Sequence, residues 1–297
     1  MTNQQPIIFF GTEDFSAISL QALIDARFNV VAIITKPDSR KGRGQKLQAP
    51  KVKKIGEANQ IPVLQPTNMR EIVDFVQSFD QKPAGVLVSF GRIIPEEIIG
   101  LFEPGIVNVH PSLLPKYRGP SPIEAAILNG DQTTGVSLMK LAKKMDAGDV
   151  YYQEEFRLAG TETASQLYQT CGQIGAEMLV KHLPAILHSE TLGNPQNEQN
   201  ASYCHLLSKS DAILKPEAQT AQQAERQIRA FDLFPKSKIQ IGEHLCVVNS
   251  AQVVAENPHN SPTIIKFKDQ TWLKLETLTT PNGKKTTAEA FNNGYLK

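Results

Sequence analysis

Pro6-Ile7-Ile8-Phe9-Phe10-Gly11 is a short apolar run closed by a glycine, and Asn29-Val30-Val31-Ala32-Ile33-Ile34-Thr35 is a β-branched run further on. Between them Phe15, Ile18, Leu20 and Leu23 fall in a helical pattern. Two strand-like runs joined through a helix read as a βαβ unit, and such a unit predicts a parallel sheet. Working outward, Ala84 to Ser89, Gly105 to His110 and Val136 to Leu141 supply further strands. Helices are expected between them near Met69 to Phe79 and Pro122 to Asn129. The fold class is α/β: a Rossmann-like, doubly wound sheet.

The first turn reads Gly11-Thr12-Glu13-Asp14, with one glycine where a dinucleotide fingerprint needs three, and its two acids would repel a pyrophosphate. A nicotinamide dehydrogenase is therefore demoted. Beyond the sheet strands, Asp149 to Leu158 reads as another strand, and Thr163 to Leu187 as a long helix opened by a capping threonine. His188 to Ala201 is rich in Asn, Gln, Gly and Pro, as a linker is. After a helix over Ala218 to Phe231, short strands follow at Ser237 to Ile241, Leu245 to Val254, Thr263 to Phe267 and Gln270 to Thr277. These predict a small β-barrel. The expected layout is a catalytic domain over 1–187, a linker over 188–205 and a second domain over 206–297.

A chain of 297 residues with 40% hydrophobic content suits two domains, each with its own core. It has no apolar run of about 18 residues, and Met1-Thr2-Asn3-Gln4-Gln5 does not open a signal peptide. A soluble cytoplasmic protein without a membrane partner is expected. Three widely spaced cysteines, Cys171, Cys204 and Cys246, suggest neither a disulfide framework nor a zinc ribbon. Net charge is only +1, yet residues 36–54 hold eight basic side chains against one acid, Asp38. Positive charge is concentrated in one place.

Asn108-Val109-His110-Pro111-Ser112-Leu113-Leu114-Pro115 carries the chemistry. Residues i and i+2 of a strand share a face, so Asn108 and His110 point the same way. Pro111 cannot donate to a ladder, so the pair sits where the strand gives way to a loop, the place where open α/β sheets hold ligands. The stretch, with Arg118-Gly119-Pro120-Ser121-Pro122-Ile123 after it, resembles the core motif of the formyltetrahydrofolate-dependent formyltransferases. Asn129-Gly130-Asp131-Gln132-Thr133-Thr134-Gly135-Val136-Ser137-Leu138-Met139 and Met145-Asp146-Ala147-Gly148-Asp149 resemble later segments of the same family, in order and at compatible spacing.

The resemblance implies formyl transfer from 10-formyltetrahydrofolate to an amine, through a tetrahedral oxyanion, with no metal. Asn108 can donate its side-chain amide to that oxygen. His110 is the side chain suited to move protons near neutrality. The family pattern assigns the partner carboxylate to Asp146 rather than to its loop neighbour Asp149. Taken singly, each residue is as compatible with a structural role; the combination is what points to catalysis. By the same resemblance Ser112, Leu113, Leu114 and Pro115 contact the folate, and Val88, Ser89, Phe90 and Gly91 line the pterin pocket.

The segment Lys36 to Pro50 is similar to a basic loop inserted by the family members that act on methionyl-tRNA. The implied acceptor is the α-amino group of methionine on initiator tRNA, gripped by Arg40, Lys41, Arg43 and Lys46. A C-terminal OB-like domain that binds tRNA follows from the same resemblance, which also finds Ile228-Arg229-Ala230-Phe231 near its start; residues 206–297 carry 12 basic and 9 acidic groups. Two departures are present: Lys143-Lys144-Met145-Asp146-Ala147-Gly148 replaces Gly-Leu-Asp-Thr-Gly, and Leu233-Phe234-Pro235 stands where a tryptophan-proline pair is usual. The rival readings are a sugar-amine N-formyltransferase with the same donor and a catalytically silent RNA-binding protein. A monomer with no DNA partner is expected.

Overall fold

The computed structural model describes residues 5–41, 44–257 and 260–296. Two compact units are present. One runs to Pro120 and takes up Thr134–Phe156 and Tyr168–Cys204, and the other comprises Ser121–Thr133, Arg157–Leu167 and the chain from His205.

The elements of the first unit begin with β1 (Ile7–Gly11), α1 (Asp14–Asp25), β2 (Val30–Ile34), β3 (Ser39–Lys41), β4 (Lys46–Gln48), α2 (Lys51–Ala58) and β5 (Val63–Leu64). They continue with α3 (Val73–Gln77), β6 (Ala84–Val88), α4 (Glu96–Ile99) and β7 (Ile106–His110). After α5 (Pro122–Asn129), which belongs to the second unit, come β8 (Thr133–Lys140), β9 (Val150–Arg157) and α6 (Ala164–Leu187). The sheet order is β5-β2-β1-β6-β7-β8-β9. The five strands from β5 to β7 are parallel, and the order reverses at β1 and β6. The βαβ reading of the opening is thus realised, and the reversal makes the ends of β1 and β6 the switch point where such sheets bind ligands.

All five residues of β1 are buried because both faces of the sheet are covered. Ile8, Phe10, Ala32, Ile34 and Ile106 pack with Ile72, Val76 and Ile98 in one cluster on one face. On the other, Gly175 of α6 lies where a Cβ would come within 2.6 Å of Val109 Cγ1, so only glycine lets the helix seat this close on the strand. The sheet is not wholly parallel, contrary to expectation for Val136 to Leu141. β8 runs antiparallel to β7, with Val107 opposite Lys140 and His110 opposite Ser137. An apolar run reports burial and carries no sign of direction; only the route of the chain sets that.

In the second unit α7 (Ala221–Ala230) is opened by a reciprocal Thr220–Gln223 capping box. β10 (Lys238–Ile241), β11 (His244–Val254), β12 (Ile264–Lys266), β13 (Trp272–Thr279) and β14 (Lys285–Thr287) follow, then α8 (Ala288–Tyr295). The sheet order is β10-β11-β13-β12, with β14 also pairing β13, and these strands all pair antiparallel. Register shifts at Val248, Ser250 and Ala251 bend β11. The result is a curled half-barrel of the expected OB-like kind, with Ile213 bridging in parallel to Lys238 on the outer side of β10. Ala221, Ala224 and Ile228 of α7 and Phe291 of α8 fill its core.

The segment read as a linker is not a free tether. Asn194 pairs with Val150, and Tyr203 pairs with Arg118, both within the first unit. Both contacts are backbone pairings, and the Gln196, Glu198 and Tyr203 side chains add polar ones.

Candidate active site

Ile106, Asn108 and His110 share one face of β7 by strand alternation. Ile106 belongs to the apolar cluster of that face, while Val109, turned the other way, meets α6. Asn108 and His110 therefore extend an apolar surface to its end as two polar side chains, 5% and 4% exposed. The Asn108 side chain makes no hydrogen bond among the described residues, so its amide remains free to donate.

His110 Nε2 lies 2.9 Å from the carbonyl oxygen of Tyr117. A carbonyl only accepts, so Nε2 carries the proton and Nδ1 is turned to Asp146, 3.8 Å from its Oδ2. That is too long for a hydrogen bond but within ion-pair reach, a spacing usual for catalytic pairs before substrate binds. Asp146 Oδ2 also accepts from the backbone N–H of Gly119 at 2.8 Å. Gly119 has φ +118°, and a Cβ there would come within 2.5 Å of the Cys204 carbonyl oxygen, so the Arg118-Gly119 sequence needs its glycine. Asp149, by contrast, is exposed on the way into β9 and is not among the partners of His110.

The loop after β7 is fixed by residues that sequence reading did not single out. Ser137, opposite His110, donates to the Ser112 carbonyl at 2.6 Å and accepts from Leu114 N at 3.1 Å. Gln153 of β9 donates to both Leu114 O and Ser137 Oγ at 2.9 Å. Ser112 Oγ is spent on Lys116 O, Leu114 packs with Met139 and Val150, and Leu113 lies against Gly135. Leu114 and Pro115 also edge a cavity of about 260 Å³ with Tyr151, Asn194 and Gln196. A larger groove of about 540 Å³ between α1 and α6 contains none of the candidate residues.

Val88 ends β6 and Phe90 is buried under Ile94 in the apolar cluster, with Ser89 and Gly91 both at positive φ. The Ser89 carbonyl accepts from Thr12 N and Glu13 N, and Thr12 Oγ1 donates to the Phe90 carbonyl, which ties this segment to the loop after β1. The three segments Gly11–Glu13, Val88–Gly91 and His110–Pro115 thus meet at the strand ends.

The basic loop is an antiparallel hairpin of β3 and β4 with Arg40 opposite Leu47. Its base is anchored by Asp38, which takes Lys53 at 3.0 Å and accepts from Gln65 at 2.8 Å. The Gln65 and Lys53 hydrogen bonds hold the Asp38 carboxyl below its usual range. With the one local acid consumed, Arg40 and Lys46 are exposed and without an ion pair among the described residues. Arg43 lies outside the described residues. The departures Lys143 and Lys144 are engaged with Glu96 at 2.8 Å and Glu198 at 2.6 Å. No cluster of three metal-ligating side chains occurs among the described residues, nor any helix long and apolar enough to cross a membrane.

Comparison with known proteins shows the family. Residues 5–183 match the family model described as formyl transferase, and residues 206–296 match the formyl transferase C-terminal domain. A methionyl-tRNA formyltransferase of Sulfurihydrogenibium sp. is 34% identical over 97% of this chain and 96% of its own. Another, from Thermotoga maritima, is 32% identical over 98% and 95%. Among solved structures, an N-formyltransferase from Helicobacter canadensis in complex with folinic acid and dTDP-3-aminofucose superposes with a TM-score of 0.69 at 20% identity, covering 93% of this chain and 99% of that one. HypX from Aquifex aeolicus in complex with tetrahydrofolic acid superposes at 0.67 and 15% identity, over 100% of this chain and 48% of that one. With one family model over the sheet unit's span, a second over the half-barrel and relatives a third identical across nearly the whole length, this chain belongs to the formyl transferase family.

Proposed function

We propose that the protein transfers the formyl group of 10-formyltetrahydrofolate to the α-amino group of methionine on initiator tRNA, as a cytoplasmic monomer with no DNA or metal partner. The observation that carries this reading is the near full-length identity to proteins named methionyl-tRNA formyltransferase. The exposed hairpin supports it, because Arg40 and Lys46 stand without acidic partners among the described residues, which suits contact with RNA phosphates. Lys41 is assigned to the same tRNA contact, as is Arg43, which lies outside the described residues. Residues 1–187 form its catalytic part, 188–205 its connection and 206–297 its tRNA-binding part.

The site's residues fit the donor. Asn108 offers a buried side-chain amide with no partner among the described residues, and the segments Val88–Gly91 and Ser112–Pro115 lie at the ends of β6 and β7. The bound donor supplies an N10-linked formyl carbon open to attack by an amine. Asn108 donates to the formyl oxygen as negative charge builds on it, at a point fixed by strand β7. His110, with Nε2–H committed to Tyr117 O, presents Nδ1 to the reacting atoms and moves the proton between the attacking amine and N10. Asp146 Oδ2 faces that same nitrogen at 3.8 Å. Ser137 and Gln153 keep the folate segment in register with His110.

A second reading, a sugar-amine N-formyltransferase, is favoured by the structural neighbour from Helicobacter canadensis. One assay separates them: formyl transfer to methionyl initiator tRNA and, separately, to an amino-sugar nucleotide. Transfer to the tRNA alone is expected, and transfer to the sugar alone overturns the proposal.

A further inference from the structure

We infer that the strap formed by residues 194–204 is part of the active site, with Arg118 and Gln196 as positioning residues that aim Asp146 at His110. This goes beyond the proposed function and rests on it only in naming the reaction. The strap falls between the two family models, which end at 183 and begin at 206.

Asp146 has φ +47°, a left-handed conformation that a non-glycine residue keeps only where its surroundings hold it. Gly119 N–H takes its Oδ2, and Gln196 Nε2 takes its carbonyl oxygen at 2.9 Å and that of Gly148 at 2.7 Å. Gln196 is itself oriented, because its Oε1 accepts from Arg118 Nε at 3.0 Å and Nη2 at 2.9 Å. With two bonds donated and two accepted, the amide has only one orientation that satisfies all four partners.

Arg118 is fully buried, and each of its five N–H groups has a partner. Besides the two to Gln196, they reach Glu198 Oε2 at 3.1 Å, Glu198 Oε1 at 2.9 Å and the Tyr203 hydroxyl at 3.2 Å. A lysine has neither the fork nor the number of donors to replace it. Lys144 adds a second cation to Glu198, and these two contacts, Arg118 first, hold that carboxyl down to about 2. The backbone of Arg118 is paired to the strap in both directions, to Ser202 O and from Cys204 N, each at 2.8 Å. One buried guanidinium therefore joins the loop that carries Gly119 to the strap that carries Gln196, and both of these hold Asp146.

The test is Gln196→Glu, which keeps the size and the acceptor for Arg118 but turns a carboxylate oxygen toward the Asp146 and Gly148 carbonyls. The expected result is a fall in kcat of at least about tenfold with KM for 10-formyltetrahydrofolate within about twofold, on the pattern of a residue that acts only on the reacting geometry. The imidazole NMR resonances of His110, recorded at one fixed pH without acceptor, move with it, because the carboxylate facing the ring is displaced. If Q196E does not fold, Glu198→Gln, at a half-exposed position, loosens the same grip and gives the same pattern in smaller measure. A folded variant with unchanged kcat and unchanged His110 resonances overturns the inference, whatever its melting temperature; so does a loss confined to KM for the RNA. Should the wild-type protein formylate no methionyl-tRNA, the acceptor assignment fails, and the His110 resonances still test the strap.

Discussion

Gly119→Ala is the substitution that most directly tests how the site is held. Its backbone sits at φ +118°, where an L side chain is strained, and its new Cβ would come within 2.5 Å of a backbone oxygen, that of Cys204. A backbone oxygen in a paired strap cannot rotate away, so strap or loop must shift. The strain costs about 1–3 kcal/mol, and the charge-assisted bond from Gly119 N to Asp146 is worth about 1.5–3, giving about 2.5–6 kcal/mol together. At about 2–4 °C per kcal/mol for a unit of this size, the first unit's melting temperature falls by roughly 5–24 °C. The single tryptophan, Trp272, lies in the half-barrel, so its fluorescence reads the second unit, whereas loss of activity and far-UV circular dichroism include the first. Below the transition, kcat falls as well, because Asp146 loses the donor that fixes its carboxylate. A G119A protein that melts and turns over like the wild type would refute the claim that this glycine is required by its surroundings.

Three further outcomes are expected. His110→Ala cuts turnover by roughly 10²–10⁴ in a protein that melts normally, and Asp146→Asn is far more damaging than Asp149→Asn, since only Asp146 faces His110; steady-state kinetics with saturating substrates reverse the assignment if Asp149→Asn proves worse. Arg40→Ala combined with Lys46→Ala lowers kcat/KM for methionyl initiator tRNA by roughly tenfold to a hundredfold and flattens the salt dependence of tRNA binding, with donor KM unchanged; a neutral double variant marks the hairpin as mere surface. Glu198 sits at about 2 against an ordinary 4.5, so its ion pairs stabilise the fold fully above about pH 4.5 and are lost as pH falls toward 2. Urea titrations of wild type and Glu198→Gln should therefore differ at neutral pH and converge at the acid end of that window.

Local pattern determined much of this protein. The runs at Ile7 to Phe10 and Val30 to Ile34 are apolar without interruption because parallel strands are covered on both faces, so strand and crossover were legible from residue order. Asn108 and His110 were legible as a displayed pair because a period of two is imposed by the strand itself. α5 was readable for a similar reason, with proline at its first position and glycine just past its end. The hairpin of β3 and β4, the short helices α2 and α4, and α8 were not readable. Each is short, and α8 carries Gly294 and two asparagines; it is a helix because Phe291 and Ala288 are buried against the half-barrel.

What only the tertiary structure decided is direction and distance. Nothing in the composition of β8 states that it runs against β7, yet that reversal brings Ser137 opposite His110 and Gln153 within reach of the loop after β7. Spacing along the chain leaves Asp146 and Asp149 equivalent as loop acids; folding puts one 3.8 Å from the imidazole and leaves the other exposed. Arg118, 78 residues from Gln196, gives no sign in sequence of the five bonds it makes, since polar contacts between distant segments leave no periodicity behind. Patterns of burial are written locally because every strand and helix repeats its own contact with the core. A catalytic geometry is made once, by segments that meet only in the folded chain.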